Sequence, residues 1–494
     1  MSTSAMTSQA GFIVLTGCFV IGGSAASALG QCTSLLTAHL VPEVPQASGD
    51  LGRSVAIDGD TLAVTSDEFG GTLHVYHRSG SAWTLEQSMT GSDRIAGERF
   101  GYSVAISGDT VVVGAYGHAH NNLTEAGAAY VFRRSGAVWM EEAELLAPDA
   151  SASDRFGYRV GIFGDTAVIA ARWDQNIGSS IGSAYVFVRA EGNWSLQQKL
   201  LPPVTTLYFG DAVAVGEDMF VVGSHLSSTA FVFVRNAGSW SFQAQLLPSI
   251  GGNGFFGYSL GISGSTVIGG AFAHKKAYVF THNAGSWTQQ GVLATAVPMG
   301  DGDFGRSVAI SGDLAVVGAT NSDIGCPDNG CNFGSACVFE RVGSEWVERL
   351  TLLDPEPLGG NMFGSSVACD GTTFVVGEPS RDSPVDGPDI GNLFVFELNC
   401  DIGTDSDGDG VPDESDACPN NTPGLPVDCS GRPLRDANND CLVNADDIPI
   451  IVDELLLLTT PLVGCNGQPL RDANEDSAVD GADLLEIVAE MLVS

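Results

Sequence analysis

The sequence predicts a mainly β protein: a seven-bladed β-propeller with a small C-terminal α-helical calcium-loop module. Three observations predict it. A phrase recurs seven times, in full from Phe100 and Phe156 and in weaker copies elsewhere: Phe-Gly, two or three residues, an apolar run, a Gly-Asp turn and a second apolar run. Its copies begin at Leu51, Phe100, Phe156, Phe209, Phe256, Phe304 and Phe363, 47 to 59 residues apart, the period of a repeat architecture. Each copy opens a unit of four strand-like runs, and no helical periodicity precedes residue 440.

The copy from Phe100 shows the unit. Ser103-Val104-Ala105-Ile106 reads as a short first strand, and Ser107-Gly108-Asp109 as a tight hairpin turn. Thr110 to Ala115 is a continuous β-branched run, the mark of a strand buried on both faces. Ala128 to Phe132 is the third strand. Ser135-Gly136 turns the chain into a fourth, more polar strand that runs to Leu145-Leu146. Seven four-stranded meanders make a propeller, with blades packed face to face around a channel. Trp83, Trp139, Trp194, Trp240, Trp287 and Trp346 each open a fourth strand, and their regularity points to packing.

Blade seven lacks a fourth strand, because the chain leaves it at Asn399-Cys400. The missing strand lies at the other end. Ala38-His39-Leu40-Val41-Pro42-Glu43-Val44 matches Gln198 to Val204 at the end of blade three. Residues 34–44 are therefore expected to close blade seven, which gives a propeller over residues 31–400. Alignment on blade three places Cys400 at Glu191 and Cys32 at Gly192, neighbours in a hairpin turn. A Cys32–Cys400 disulfide is expected to replace that turn and, by closing so long a loop, to contribute about 4 to 5 kcal/mol.

Antiparallel order puts the short first-to-second and third-to-fourth turns on one face. The longer loops, such as Tyr116 to Ala126, Arg172 to Ile181, Thr320 to Gly334 and Pro379 to Ile390, share the other face with the blade connections. Variable loops on a constant frame are where binding is expected.

The repeats resemble the FG-GAP family, known from the integrin α-subunit propeller. The likeness covers about residues 48 to 399 and implies that fold and a leaning toward extracellular binding or cell adhesion. Integrin-type blades often carry an Asp-rich calcium loop between the first two strands. Here that place holds only a Gly-Asp turn, as at Gly59-Asp60, Gly164-Asp165 and Gly312-Asp313, so calcium is expected elsewhere.

Charge points to where. The 494-residue chain has 59 acidic and 21 basic residues, a net charge of −38. Such a surface repels nucleic acid and anionic lipid. From Asp401 onward there are 21 Asp or Glu against three Arg, and these acids are spaced. Over residues 401–430, Asp405, Asp407, Asp409, Asp413 and Asp416 take positions 1, 3, 5, 9 and 12 of a calcium loop, with Gly410 at 6 and the Val411 carbonyl at 7. The stretch resembles a thrombospondin type 3 repeat. Over residues 431–494 a loop-plus-helix is duplicated. Asp436, Asn438, Asp440, Leu442, Asn444 and Asp447 form the first set, and Asp472, Asn474, Asp476, Ala478, Asp480 and Asp483 the second; Leu442 and Ala478 offer carbonyls. This EF-hand-like pair resembles a dockerin, which implies bound Ca2+ and a cohesin-like docking partner. Position 6 is Cys441 and Ser477 rather than Gly. Positions 10 and 11 are Ala445-Asp446 and Gly481-Ala482 rather than the Ser-Thr common in dockerins.

Residues 1–30 read as a signal peptide, with an apolar stretch from Gly11 ending in small residues. A secreted or cell-surface protein is expected, with no membrane span after cleavage. Leu15-Thr16-Gly17-Cys18 offers lipoprotein anchoring at Cys18 as the alternative. Export and the absence of CxxC–His clusters favour disulfides over zinc among the eleven Cys. Cys326 and Cys331 suit a local pair, Cys337 and Cys369 read as free core thiols, and Cys418, Cys429, Cys441 and Cys465 allow three pairings.

No catalytic motif appears. His118 and His120, in the loop between the second and third strands of blade two, could ligate a metal but read first as solvent-exposed loop histidines, and Glu141-Glu142 as solvated acids on an outer strand. The sequence favours an exported calcium-binding protein whose propeller is an extracellular ligand-binding or adhesion scaffold for a protein or glycan, with a docking tail. The alternatives are a dockerin-bearing carbohydrate-active enzyme, a polysaccharide hydrolase or lyase, and a structural cell-envelope component. Without metal, the tail's acids should repel one another and unfold it. Calcium titrated into residues 401–494 is expected to raise the helical circular-dichroism signal; an unchanged signal defeats this expectation.

Overall fold

A computed structural model describes residues 32–42, 49–67, 70–94, 97–175, 181–295, 302–324, 332–357, 360–380 and 390–400. The signal segment, the Cys326–Cys331 loop and all of residues 401–494 lie outside them. Within the compact unit Ser34–Leu398 the chain forms seven four-stranded antiparallel sheets.

The first strand, β1 (Cys32–Leu40), belongs to the last sheet. Blade one is β2 (Val55–Asp58), β3 (Thr61–Ser66), β4 (Thr72–Ser79) and β5 (Ala82–Met89). Blade two is β6 (Phe100–Ser107), β7 (Thr110–Ala115), β8 (Ala128–Ser135) and β9 (Val138–Leu145). Blade three is β10 (Phe156–Phe163), β11 (Thr166–Ala171), β12 (Ser183–Ala190) and β13 (Asn193–Leu200). Blade four is β14 (Val213–Val215), β15 (Met219–Ser224), β16 (Thr229–Asn236) and β17 (Ser239–Leu246). Blade five is β18 (Leu260–Ser263), β19 (Thr266–Ala271), β20 (Lys276–Asn283) and β21 (Ser286–Leu293). Blade six is β22 (Phe304–Ser311), β23 (Leu314–Ala319), β24 (Ser335–Val342) and β25 (Glu345–Leu353). Blade seven joins β26 (Ser366–Asp370), β27 (Thr373–Glu378) and β28 (Asn392–Cys400) to β1, in the order β1-β28-β27-β26. First strands of successive blades touch all the way round, β26 meeting β2, so they form the inner ring.

The seventh sheet thus takes its outer strand from the N-terminal end, over Cys32–Leu40; Glu43 and Val44 lie outside the described residues. Thr33 Oγ1 donates to the Asn399 carbonyl at 3.4 Å and Thr37 Oγ1 to that of Val395 at 3.1 Å. His39 stacks on Phe394 at 4.6 Å.

Second strands such as β3, β7 and β11 are buried along their whole length. That explains their continuous apolar runs. First strands start earlier than the sequence suggests in β6, β10 and β22, because Phe-Gly joins the ladder through a bulge. The core lies between blades. One cluster joins Leu73, Val75 and Met89 of blade one to Phe100, Val113 and Trp139 of blade two.

The Phe-Gly glycine has φ between +83° and +108° in every blade. It lies against the second strand of the preceding blade. A Cβ on Gly114 would come 2.0 Å from the Gly157 carbonyl oxygen, and one on Gly157 would come 2.0 Å from that of Ala128. Gly223, Gly270, Gly318 and Gly377 repeat the contact against Gly257, Gly305, Gly364 and Gly52. Only hydrogen fits there, so these glycines set the blade spacing. Gly157→Ala is expected to destabilise the protein by about 3 kcal/mol or more. The control Gly136→Ala, at φ +68° with nothing within 4 Å of the new Cβ, should cost only about 1 kcal/mol. Denaturant midpoints of the two variants check this.

Candidate functional site

Three positions per blade build the channel mouth on the variable-loop face: the residues flanking Phe-Gly and the first residue after the second strand. Around Phe-Gly the chain makes a tight turn. Tyr102, Tyr158 and Tyr258 each donate their N–H to the carbonyl three residues back, at 3.2 Å. The residue before Phe (or Leu) is left-handed yet not glycine in six blades: Asp50, Arg99, Arg155, Tyr208, Phe255 and Met362, with φ of +48° to +62°. Glycine adopts this conformation without strain. Keeping a side chain there six times implies that the side chain is wanted.

These positions gather arginines and aromatic rings. Tyr102, Tyr116 and Tyr158 cluster with ring centroids 4.7 to 5.6 Å apart. The Arg159 guanidinium lies over Tyr102 at 4.8 Å and Tyr158 at 4.9 Å. Arg155 covers Trp173 at 3.8 Å, and Arg172 lies over both Tyr158 at 4.7 Å and Tyr208 at 4.5 Å. Arg53 and Arg306 extend the belt over Tyr102 and Tyr258. Asp211 is buried, forms an ion pair with Arg172, whose Nε lies 2.6 Å from Oδ1, and binds His225 Nδ1. His225 stacks on Tyr208 and meets Tyr258 edge-on. Burial opposes the charge of Arg159, yet Tyr102, Tyr158, Tyr258 and Asp211 outweigh it and hold its pKa above the ordinary arginine value. Most of these rings are only half-buried. Flat apolar faces beside fixed guanidiniums suit a ligand that offers a ring together with an anionic group.

The opposite face carries a latch that the sequence reading missed. Asp60, Asp109, Asp165 and Asp313 of the Gly-Asp turns pair with Arg78, Arg134, Arg189 and Arg341. Each of these arginines covers the tryptophan that opens the next strand. The indole N–H of Trp139, Trp194, Trp240, Trp287 and Trp346 then donates to Glu86, Glu142, Gln197, Gln243 and Gln290 of the preceding blade. Every acceptor is the bulged residue of its strand pair. The signal was present as Trp-x-x-Glu/Gln. Glu142 is therefore not a merely solvated acid: it also binds Arg189 at 3.1 Å, while Glu141 accepts from Ser92. At the ring's seam β1 offers neither Glu nor Gln, and the buried Trp83 Nε1 has no partner.

The eighteen calcium-ligand positions from Asp405 to Asp483 all lie outside the described residues. Cys337 and Cys369 are free, and burial raises both thiols. Cys32 is disulfide-bonded. Cys400 ends β28, and its side chain lies outside those described.

His118 corrects the sequence expectation: it is buried, 3% exposed. The turn after β7 folds it under the loop, where its N–H bonds the Ala115 carbonyl at 3.0 Å. There it meets Tyr130 of β8, Asp93, Glu98 and Glu144. His120 stacks on it with ring centroids 6.0 Å apart and is partly buried rather than fully exposed.

Four stretches, residues 83–132, 139–187, 287–339 and 346–396, match the family model described as FG-GAP repeat. Over those four stretches the chain is built of FG-GAP repeats. Each matched stretch begins in an outer strand and ends in the third strand of the next blade, so the repeat frames an interface rather than a blade. No curated protein matches the chain.

In blade one, His74 takes the place of Tyr130, bonded to Ser66 and Ser88 at 2.9 Å each. Burial lowers its pKa to about 4. The folded state thus resists a proton that the unfolded chain accepts. The stability His74 leaves intact above about pH 6.5 is lost as pH falls toward 4, by about 3 kcal/mol. In pH-resolved denaturation, His74→Gln should remove that part of the acid loss.

Proposed function

We propose that the chain is an exported, calcium-binding protein whose propeller is an extracellular ligand-binding or adhesion scaffold, the ligand docking at the channel mouth. The belt of stacked arginines and aromatic rings carries this reading. In a chain with a net charge of −38, Arg53, Arg155, Arg159, Arg172 and Arg306 converge on one opening. The body repels polyanions at long range, while the mouth offers a local anion-binding lining. An acidic glycan fits best: sugar rings lie on the aromatic faces, and carboxylate or sulfate groups meet guanidinium.

Calcium belongs in the tail, at Asp405 to Asp416 and in the two dockerin-like loops; the ligand spacing supports this. That tail would dock the protein to a cohesin-like partner. A Cys32–Cys400 disulfide would clasp the chain ends, a reading supported by the Thr33 and Thr37 contacts that place positions 32 and 400 opposite one another.

A second reading, a carbohydrate-active enzyme, draws on Asp211 and His225. A histidine held by a buried carboxylate beside Tyr208 and Tyr258 has the makings of a proton-transfer site. An array of acidic and neutral glycans and peptides separates the readings. Acidic glycans are expected to bind, with affinity reduced tenfold or more by Arg155→Ala or Trp173→Ala. Binding that ignores both changes overturns the mouth as the site. Unsaturated sugar products that vanish in His225→Ala would favour the enzyme.

A further inference from the structure

We propose that blade two holds a divalent metal ion of the zinc class on Asp93, His118 and Glu144, with Glu98 orienting His118. The geometry comes first. His118 Nδ1 lies 3.1 Å from Glu98 Oε1, while Nε2 faces Glu144 Oε1 at 3.4 Å and Asp93 Oδ2 at 3.7 Å. All three ligand atoms lie within 4.8 Å of one another. Donors around a tetrahedral ion with bonds of about 2.0 to 2.1 Å stand about 3.3 Å apart, so modest closure completes the set. The Asp93 side chain is half-exposed and can move, while its Oδ1 is held by the Tyr130 hydroxyl at 2.7 Å. A fourth position stays open for water.

The charges demand a cation. Asp93, Glu98 and Glu144 all converge on one imidazole. Glu98 is 1% exposed, and its second oxygen, Oε2, is buried with no partner. With Nδ1–H spent on Glu98, the Nε2 lone pair points at two further carboxylates. A carboxylate–histidine–metal relay resolves that arrangement.

Blade three supplies the comparison. The register pairs Tyr130 with Glu144 in blade two and Tyr185 with Lys199 in blade three. Asp149, Asp154 and Asp174 stand where Asp93, Glu98 and His118 stand, in the same turns. There Lys199 Nζ lies 2.7 Å from Asp149 and 2.6 Å from Asp174, with the Tyr185 ring at 4.9 Å. Blade three carries its own cation in this pocket. Blade two replaces that lysine with a third acid and one aspartate with an imidazole, a donor set that suits zinc better than calcium.

The test uses the full chain in excess Ca2+, which fills oxygen-only sites, with Co2+ as the spectroscopic probe for zinc. One Co2+ per chain is expected to develop visible d–d absorption, bleached by Zn2+. Glu144→Lys, which copies blade three, should keep the melting temperature and abolish the signal. His118→Gln should abolish it too, and Glu98→Gln should weaken binding roughly 10- to 100-fold. No d–d absorption in the unaltered protein, as when a proton alone sits on His118, overturns the proposal. So does equal absorption in the unaltered protein and Glu144→Lys.

Discussion

The ring rests on one close approach: a strand glycine of one blade against the Phe-Gly carbonyl of the next. At Gly114 and Gly157 nothing larger than hydrogen fits. Because the backbones come so near, the aromatic ring of each Phe-Gly reaches the interblade core, as Phe156 does against Tyr185 and Phe187. Two blades vary the contact without losing it. Thr65 replaces the strand glycine and donates its hydroxyl to the Gly101 carbonyl at 2.7 Å, while Ala170 packs its methyl near Gly210. The phrase that recurs in the sequence is thus two halves of one interface, contributed by neighbouring blades.

The latch on the opposite face follows from that spacing. With blades set close, a bulge pushes one outer-strand side chain toward the next blade, where it meets an indole N–H. Blade six has Arg349 at its bulge, and blade seven, next to it, has no tryptophan to present. Arg349 turns back to Glu340 at 2.7 Å instead. At the seam, Arg78 reaches Glu397 and Thr373 of blade seven, which partly replaces the missing indole bond.

The seven blades were legible because strand patterns and Gly-Asp turns are local, and local signals survive without knowledge of the fold. The latch was not, because Trp139 and Glu86 are 53 residues apart and become neighbours only when the ring closes. His118 was misread for a related reason. Its loop looks polar, and burial arises from a turn that tucks it against β8. The mouth was half-legible. Tyr116 and Arg172 open loops that the sequence marks as variable, but Arg155 and Tyr208 sit inside the repeat phrase itself, where alignment to a common pattern hides what differs. The spacing of the tail's acids remains a statement about sequence alone.

The seventh blade has a mechanical consequence. The chain leaves the propeller from β28, an interior strand flanked by β1 on one side and β27 on the other. If the mouth is held by a ligand and the tail by a surface, tension enters along β28. It must then shear two hydrogen-bonded ladders together instead of peeling one strand from an edge. A blade completed from both chain ends is thereby an anchor point suited to bearing load.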